Sequence, residues 1–445
     1  QLEVGDADED ELYAAMDWLL ARQSRIEKKL AKRHLSEGCQ VLYDVSSSYY
    51  EGHTCPLVRP GHSRDKKRGK PIVVYGVLTD AEGCPLAVEV YPGNTGDPTT
   101  VPDQVNTLKQ RFELDRVVLV GDRGMLTQTQ IDELKRHPGV GWISALRSEK
   151  VRKLFDQKYL QLSLFDQQNL AEIHSPDFPD ERLIACFNPL LAEERKRKRR
   201  ELLEVTEQAL EKISKEVKRR TKTPLSAAEI GTKVGKIINR FKMGKHFELS
   251  ITDGHFSYVR RTEAIEREAE LDGLYVIRTS ESQHALSAED AVRSYKNLAQ
   301  VERVFRTFKG LDIRIRPIHH RTEERVRAHI FICLLAYYVE WHLRRVLAPL
   351  LFDDEALTFD RKQRDPVAPA EPSIAAKNKK VARTTEDGLP IHSFTTLLAE
   401  MGTRCRHRCR VKSDPECPPL FQDTDPTPLQ ARAVELIRLL PVQGI

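Results

Sequence analysis

Two apolar runs that each end close to an aspartate constrain the fold of this chain more than any other feature. Val41, Leu42 and Tyr43 lead directly into Asp44, and the run from 117 to 120 leads through a glycine into Asp122. The second run has no polar side chain, which is typical of a strand that is covered on both faces of a sheet. The sequence therefore predicts a buried sheet that carries carboxylates at the ends of two strands.

A third carboxylate, Glu302, lies in the middle of a helix predicted over residues 295–309. Hard divalent cations take carboxylate oxygens, and two cations about 4 Å apart can stabilise both the attacking and the leaving oxygen of a phosphodiester. Two acidic strand ends and one acidic helix face supply the ligands that such a site needs. We therefore predict that Asp44, Asp122 and Glu302 are catalytic and bind two Mg²⁺ or Mn²⁺ ions.

The order of the predicted elements extends this pattern to a whole domain. After a helix over residues 8–33, residues 36–148 predict the order β-β-β-α-β-α-β, with Glu82 and Gly83 in the turn of a hairpin. The strands are expected at about 40–48, 72–78, 85–91, 117–120 and 142–146, and the helices at about 99–111 and 127–136.

A long segment then separates this pattern from the helix of Glu302. It predicts a helix at about 188–222, and a capping box formed by Ser226 and Glu229 at the start of a second helix that ends near Arg240. Residues 247–279 return to the alternation expected of strands. The segment is therefore predicted to be an insertion with its own helices and strands.

The order of elements resembles the ribonuclease-H-like fold of the DDE transposases and integrases, over roughly residues 36–148 and 272–345. The resemblance implies an α/β protein, with a mixed β-sheet flanked by helices and a large α+β insertion before the last catalytic helix. The expected parts are listed here in chain order: an N-terminal helical segment, 1–35; the first part of the core, 36–148; the insertion, 149–271; the second part of the core, 272–350; and a flexible tail with a short C-terminal helix, 351–445.

The residues around Glu302 carry the sharpest part of the resemblance. Tyr295, Glu302 and Lys309 are seven residues apart, a spacing that would place them on one line of a continuous helix. This spacing is similar to the Tyr-Arg-Glu-Lys signature of bacterial insertion-sequence transposases, although Leu298 stands where the signature has arginine. The sequences Tyr-Asp-Val-Ser-Ser around Asp44 and Gly-Asp-Arg-Gly around Asp122 also resemble that family.

The resemblance implies a DNA transposase that cleaves double-stranded DNA at transposon ends and transfers the strand into target DNA. It further implies a homodimer that pairs two ends in a synaptic complex, in the bacterial cytoplasm and associated with the nucleoid. Tyr295 and Lys309 would contact the DNA. Excision through a DNA hairpin stays open, and any stacking on a flipped base would fall to Phe247, Phe256 or Tyr258.

Further basic residues are candidate DNA contacts. Arg303 and Arg306 lie on the Glu302 helix, and Arg123 follows Asp122. A run of six cations in the insertion adds to them, because like charges in sequence repel one another unless a polyanion binds them. A solvated helix face is the alternative interpretation of this run, which comprises Arg195, Lys196, Arg197, Lys198, Arg199 and Arg200.

Three other functions are weighed against a transposase. A nuclease or resolvase of the same fold would cut without joining, and a transposase-derived DNA-binding protein would have lost its chemistry, which the three carboxylates argue against. A structural coiled coil is disfavoured, because the long helix lacks a regular apolar seam.

Bulk composition excludes few functions. The chain has 445 residues and a formal net charge of +5, and its eight cysteines have no disulfide-framework spacing. The longest apolar run, from Ile330 to Val339, is too short to cross a bilayer, so no membrane association is expected. The first residue is Gln1 rather than methionine, so the sequence is consistent with a fragment of a longer protein.

Overall fold

A computed structural model describes residues 7–52, 54–67, 69–166, 168–410 and 418–440. The chain forms two compact units. The first contains the residues up to 144, residues 279–366 and the residues from 370 onward, and the second contains residues 145–278 and 367–369. No helix among the described residues is long and apolar enough to span a membrane.

The first part of the chain confirms the predicted order of elements. A 3₁₀ turn at Asp97–Thr100 leads into α3, and a π-helical turn at Thr107–Arg111 extends it. The helix expected over residues 8–33 is divided in two by a short turn. The elements are α1 (Glu9–Leu20), α2 (Gln23–His34), β1 (Cys39–Tyr49), β2 (Ile72–Asp80), β3 (Pro85–Pro92), α3 (Val101–Asn106), β4 (Val117–Val120), α4 (Gln128–Leu134) and β5 (Val140–Ala145).

The sheet of the first unit has the strand order β3-β2-β1-β4-β5. Strand β1 is antiparallel to β2 and parallel to β4, and β4 is parallel to β5. All four residues of β4 are buried, as its apolar sequence predicts. On one face, Tyr43 and Val45 of β1 belong to a hydrophobic core that also contains Val105 of α3 and Ile131 of α4. The expected ribonuclease-H-like α/β fold is confirmed.

The second unit contains the elements predicted for the insertion. The Ser226 hydroxyl accepts a hydrogen bond from the Glu229 N–H (3.3 Å), and the Glu229 carboxylate accepts one from the Ser226 N–H (2.9 Å), so the capping box is confirmed. Leu210, Ile213 and Val217 of the long helix are buried in the core of this unit. The elements are α5 (Ser148–Asp156), β6 (Leu170–Ile173), β7 (Arg182–Phe187), α6 (Pro189–Arg219), α7 (Ala227–Phe241), β8 (Phe247–Thr252), β9 (His255–Arg260), α8 (Thr262–Ala269) and β10 (Leu274–Thr279).

The chain then returns to the first unit, where the helix predicted over residues 295–309 is divided. Asn297 ends the helix of Tyr295 and begins the helix of Glu302. The prediction that Tyr295, Glu302 and Lys309 share one helix is therefore wrong. The remaining elements are α9 (Ala288–Lys296), α10 (Leu298–Phe308), α11 (Glu323–Val346), α12 (Leu357–Gln363), α13 (Ile374–Ala382), α14 (Phe394–Met401), β11 (Arg406–Cys409), β12 (Leu420–Asp423) and α15 (Pro428–Arg438).

The region from residue 351 onward, for which the sequence predicts a flexible tail with a short C-terminal helix, contains that helix together with three further helices and a hairpin among its described residues. Its apolar residues are sparse in sequence but meet in space. Phe394 and Leu397 of α14 and Leu429 of α15 are buried together with Leu347 and Leu350. This small cluster holds α14 and α15 against the residues that follow α11.

Candidate active site at the ends of strands β1 and β4

Parallel pairing places Asp44 and Asp122 at the same level of the sheet. Leu42 of β1 lies opposite Val120 of β4, and each aspartate follows two residues further along its own chain. The two aspartates thus belong to adjacent chain segments, and the backbones of neighbouring strands are about 4.8 Å apart. Strand β4 ends at Val120, whereas β1 continues to Tyr49. The aspartates therefore stand where the two strands part and a ligand can approach.

Backbone hydrogen bonds fix both carboxylates. Asp122 is exposed, and its Oδ1 accepts bonds from the N–H groups of Gly124 (2.9 Å) and Met125 (2.7 Å). Asp44 is half-buried, and its Oδ1 accepts a bond from the N–H of Val45 at 2.7 Å. Hydrogen bonds of this kind hold a carboxylate in one orientation, which a preorganised metal or catalytic site requires.

The environment of Asp44 disfavours its negative charge. Burial, together with the nearby charges of Asp122 and Asp97, raises the pKa of Asp44 to about 7, although the Val45 N–H and the Arg64 guanidinium oppose this rise. Neighbouring carboxylates resist simultaneous ionisation unless a cation compensates them. Asp97 was not singled out by the sequence, because it neither follows a strand directly nor lies in a recognisable motif.

Helix α10 covers the face of the sheet that carries Asp44. Ser46 lies two residues beyond Asp44 on β1, so both side chains point to the same face. Tyr75 of β2 lies directly opposite Ser46, and its ring contacts the rings of Phe305 and Phe308 of α10, with centroids 5.8 and 6.3 Å apart. The helix therefore packs over the strand segment that contains the first aspartate.

Glu302 occupies the stretch of α10 between its two contacts with the sheet. Before it, Gln300 packs so closely on the β2–β3 turn that a Cβ added at Gly83 would lie 2.8 Å from the Gln300 Cβ. After it, Phe305 contacts Tyr75. Glu302 itself is exposed. The third carboxylate thus lies on the same side of the sheet as Asp44.

The Tyr295 phenol is within electrostatic range of two of the three carboxylates. Burial raises the pKa of Tyr295 to about 12; the charges of Asp122 and Glu302 also raise it, and the Arg123 guanidinium lowers it. The side chains are nevertheless not drawn into one tight group. Within the described residues, one group of three acidic, histidine or cysteine side chains has all its ligand atoms within 4.8 Å of one another, and that group lies elsewhere in the first unit. The ligand atoms of Asp44, Asp122 and Glu302 are therefore not all within 4.8 Å of one another.

The predicted DNA contacts of the first unit differ in their surroundings. The Lys309 ammonium is 3.0 Å from the buried Asp65 carboxylate and is only 13% exposed. Arg303 is half exposed and lies 3.8 Å from Asp353. Arg306 and Arg123 are exposed. Residues 61–70 form a segment that is rich in basic residues, and the sequence analysis did not single out Asp65 within it.

In the second unit, the basic run lies on the first half of α6. Arg199 pairs with Asp272, and both side chains are nearly buried. Two further ion pairs of the run are exposed to solvent: the Arg197 guanidinium lies 3.1 Å from the Glu201 carboxylate, and the Lys198 ammonium lies 2.5 Å from the Glu194 carboxylate. The exposed members of the run are Arg195, Lys196, Arg197, Lys198 and Arg200.

The aromatic residues that were considered for base stacking are mostly inaccessible. Phe247 and Phe256 are each 2% exposed and belong to the hydrophobic core of the second unit. Tyr258 is partly exposed, and its hydroxyl donates a hydrogen bond to Glu211 at 3.0 Å. Of the three, only Tyr258 presents part of its ring to solvent.

Comparison with known proteins agrees with the fold. A protein-family model described as a transposase DDE domain matches residues 39–339, which is more than half of the chain. The chain therefore belongs to the DDE transposase family. Proteins of this family use divalent metal ions.

Solved transposase structures show weaker similarity. The piggyBac transposase in a synaptic complex with hairpin DNA has 9% identity and a TM-score of 0.36, with 76% of this chain and 67% of that chain covered. The Mos1 transposase in a paired-end complex with a left transposon end has 17% identity and a TM-score of 0.18, with 35% of this chain and 48% of that chain covered. No curated protein matches the sequence.

Proposed function

We propose that this chain is a metal-dependent DNA transposase, which cleaves DNA at the ends of a mobile element and joins those ends to target DNA. The observation that carries the proposal is the placement of Asp44 and Asp122 at one level of adjacent parallel strands, beneath the helix of Glu302. Membership of the DDE transposase family supports the same assignment.

The three carboxylates fit divalent metal ions. They supply only oxygen donors, which Mg²⁺ and Mn²⁺ prefer, and two ions would compensate three negative charges. The raised pKa of Asp44 supports this fit, because burial and the charge of Asp122 both disfavour its ionised form until a cation is present. When bound, the ions would polarise the phosphate that is attacked and stabilise the leaving oxygen.

The residues of the chain would orient the carboxylates and position the DNA backbone. Asp122 is held by two N–H groups and Asp44 by one, so these carboxylates keep their orientation between turnovers. Tyr295, Arg123, Arg303 and Arg306 lie near or on the elements that carry the carboxylates and would position the DNA backbone.

Two successive reactions use the one site. In the first, water attacks a phosphodiester at the end of the element, and the strand leaves with a free 3′-hydroxyl. In the second, that hydroxyl attacks a phosphodiester of the target, so one bond forms as another breaks. No covalent bond to the protein is needed in either step.

Double-stranded DNA is the proposed partner, both as transposon end and as target. The exposed cations at residues 195–198 and 200 of α6 would bind the backbone of the end. A homodimer that holds two ends in a synaptic complex, in the bacterial cytoplasm at the nucleoid, completes the proposal.

The test uses the purified chain and linear DNA that contains both flanks of its reading frame. Asp122→Asn and Glu302→Gln should each lower Mg²⁺-dependent cleavage by roughly 10³-fold, because each removes a metal ligand. Binding to the same DNA in Ca²⁺ should be nearly unchanged. Asp132→Asn, an exposed aspartate of α4, is the matched control and should cleave like the parent.

Equal cleavage by Asp122→Asn and the parent protein would overturn the site. A second reaction with pre-cut ends that carry a 3′-hydroxyl tests the joining step separately. Joined products support a transposase, whereas cleavage without any joining would show a nuclease of the same fold.

A further inference from the structure

Outside the carboxylate site, two imidazoles and a thiol converge in the first unit. His34 ends α2, Cys84 lies in the β2–β3 turn, and His342 lies on α11. One ligand atom from each side chain lies within 4.8 Å of the other two. Three segments that are distant in sequence thus bring two nitrogens and one sulfur into one small volume.

The spacing of these atoms suits a tetrahedral cation. Cys84 Sγ is 3.8 Å from His34 Nε2. With zinc–sulfur and zinc–nitrogen bonds of about 2.3 and 2.0 Å, two ligands of a tetrahedral zinc ion are about 3.5 Å apart. The Cys84–His34 separation is therefore within a few tenths of an ångström of the tetrahedral value, and the His342 nitrogen lies within 4.8 Å of both other ligand atoms.

A buried nitrogen without a partner points independently to a ligand. His342 Nε2 is shielded from solvent and has no hydrogen-bond partner within the described part of the chain. Buried polar atoms are nearly always paired, because an unpaired one keeps the full cost of its desolvation. Coordination to a metal ion would satisfy this nitrogen.

The protonation states and the surroundings agree with metal binding. Burial lowers the pKa of His34 and lowers that of His342 to about 4, so both rings are neutral near pH 7 and offer lone pairs. The Asp80 carboxylate lies 3.9 Å from His34 Nδ1, on the side of the ring away from Cys84. A carboxylate behind a ligating histidine orients the ring and strengthens it as a ligand.

Two features oppose the metal and must be overcome. Burial raises the pKa of the Cys84 thiol, so this group is protonated without a cation. The Tyr338 hydroxyl is hydrogen-bonded to His34 Nε2 at 3.0 Å, and this hydrogen bond would be lost when the nitrogen binds a metal ion. A doubly charged ion compensates for both, because it stabilises the thiolate outright and replaces the hydrogen bond by a stronger contact.

We propose that His34, Cys84 and His342 form a zinc site with three protein ligands. On binding, the Cys84 thiol releases one proton to solvent and a sulfur–zinc bond forms, while the two imidazoles bind through nitrogen and water takes the fourth position. The mixed nitrogen and sulfur donors favour zinc over magnesium, so this site is chemically distinct from the three carboxylates. Zinc would join α2, the β2–β3 turn and α11, and this turn contacts Gln300 on α10.

The test is a titration of the metal-free full chain with Co²⁺ in an excess of Mg²⁺, which occupies the carboxylate site. One equivalent should produce the near-ultraviolet charge-transfer band of a thiolate bound to cobalt, and Zn²⁺ should remove the band. Cys84→Ser should abolish it. The control is the double variant Cys405→Ser/Cys409→Ser, which removes two exposed thiols and should keep the band.

Asp80→Asn provides a second measurement that does not alter a ligand. It should weaken zinc affinity by about 10- to 100-fold, as measured by competition with a chromogenic chelator. Absence of the cobalt band from the parent protein would overturn the proposal, and so would a band that persists in Cys84→Ser or vanishes in the control. If Cys84→Ser does not fold, the chelator competition with Asp80→Asn decides the matter.

Discussion

The Lys309 ammonium lies 3.0 Å from the buried carboxylate of Asp65, at the end of the helix that carries Glu302. The same carboxylate accepts the Tyr49 N–H at 3.0 Å and pairs with Arg316. Asp65 thereby joins its loop to strand β1 and to the end of α10. Lys309 matches a position at which the family signature has a lysine, and in this structure it anchors the helix of Glu302 to the sheet.

Replacing Asp65 should therefore cost more stability than replacing Lys309. Asp65→Asn leaves two cations beside a neutral group and should lower the free energy of unfolding by about 3 kcal/mol. Lys309→Met should cost less, because Arg316 still pairs with Asp65. Urea unfolding of both variants and of the double variant measures the coupling. A larger loss in Lys309→Met than in Asp65→Asn would contradict this account.

The raised pKa of Asp44 predicts a stability difference that depends on pH. The folded-state pKa of about 7 lies above the ordinary value of an aspartate, so the fold favours the protonated form. That contribution is fully present below about pH 4 and is lost as the pH rises through 7. In EDTA, Asp44→Asn should therefore be more stable than the parent at pH 8, by on the order of 2 kcal/mol after allowance for partial exposure.

Thermal unfolding at pH 8 and pH 4.5 checks this expectation. The advantage of Asp44→Asn should narrow at the lower pH, where the parent also carries a neutral group. Asp132→Asn changes an exposed aspartate and should show no difference of this kind. A constant advantage at both pH values would indicate that relief of charge at Asp44 is not its cause.

Cleavage should show the complementary dependence. If Asp44 must be ionised to act, then activity at low Mg²⁺ should fall as the pH drops through about 7. Raising the Mg²⁺ concentration should move the midpoint to lower pH, because the cation and the proton compete for one carboxylate. Initial cleavage rates between pH 5.5 and 8.5 at two Mg²⁺ concentrations measure the shift. If the midpoint pH of cleavage does not change with the Mg²⁺ concentration, Asp44 is not a ligand of the metal ions.

Local sequence pattern was enough to predict the two strands that carry Asp44 and lead to Asp122. The apolar runs before Asp44 and Asp122 predict two strands, and parallel pairing then sets both residues at one level. The break at Asn297 was missed, because neither glycine nor proline marks it and the apolar spacing continues on both sides. The pairing of Asp65 with Lys309 joins residues that are distant in sequence, and only tertiary structure brings such residues together.

The basic run on α6 offers a direct comparison between a cation that is available to DNA and one that is not. Lys196 is 73% exposed, whereas Arg199 is 10% exposed and pairs with Asp272. Each cation that neutralises a phosphate releases condensed counterions, so its removal reduces the magnitude of the negative slope of log affinity against log salt by about 0.9. Lys196→Gln should show this loss, with little change in stability.

Arg199→Gln should behave in the opposite way. It leaves Asp272 unpaired and should lower the free energy of unfolding by about 3 kcal/mol, while the salt slope stays close to that of the parent. Fluorescence anisotropy on end-containing DNA at four salt concentrations gives the slope, and urea unfolding gives the stability. An equal loss of slope in both variants would mean that Arg199 leaves Asp272 to bind DNA, because only a cation that reaches phosphate can change the number of ions released.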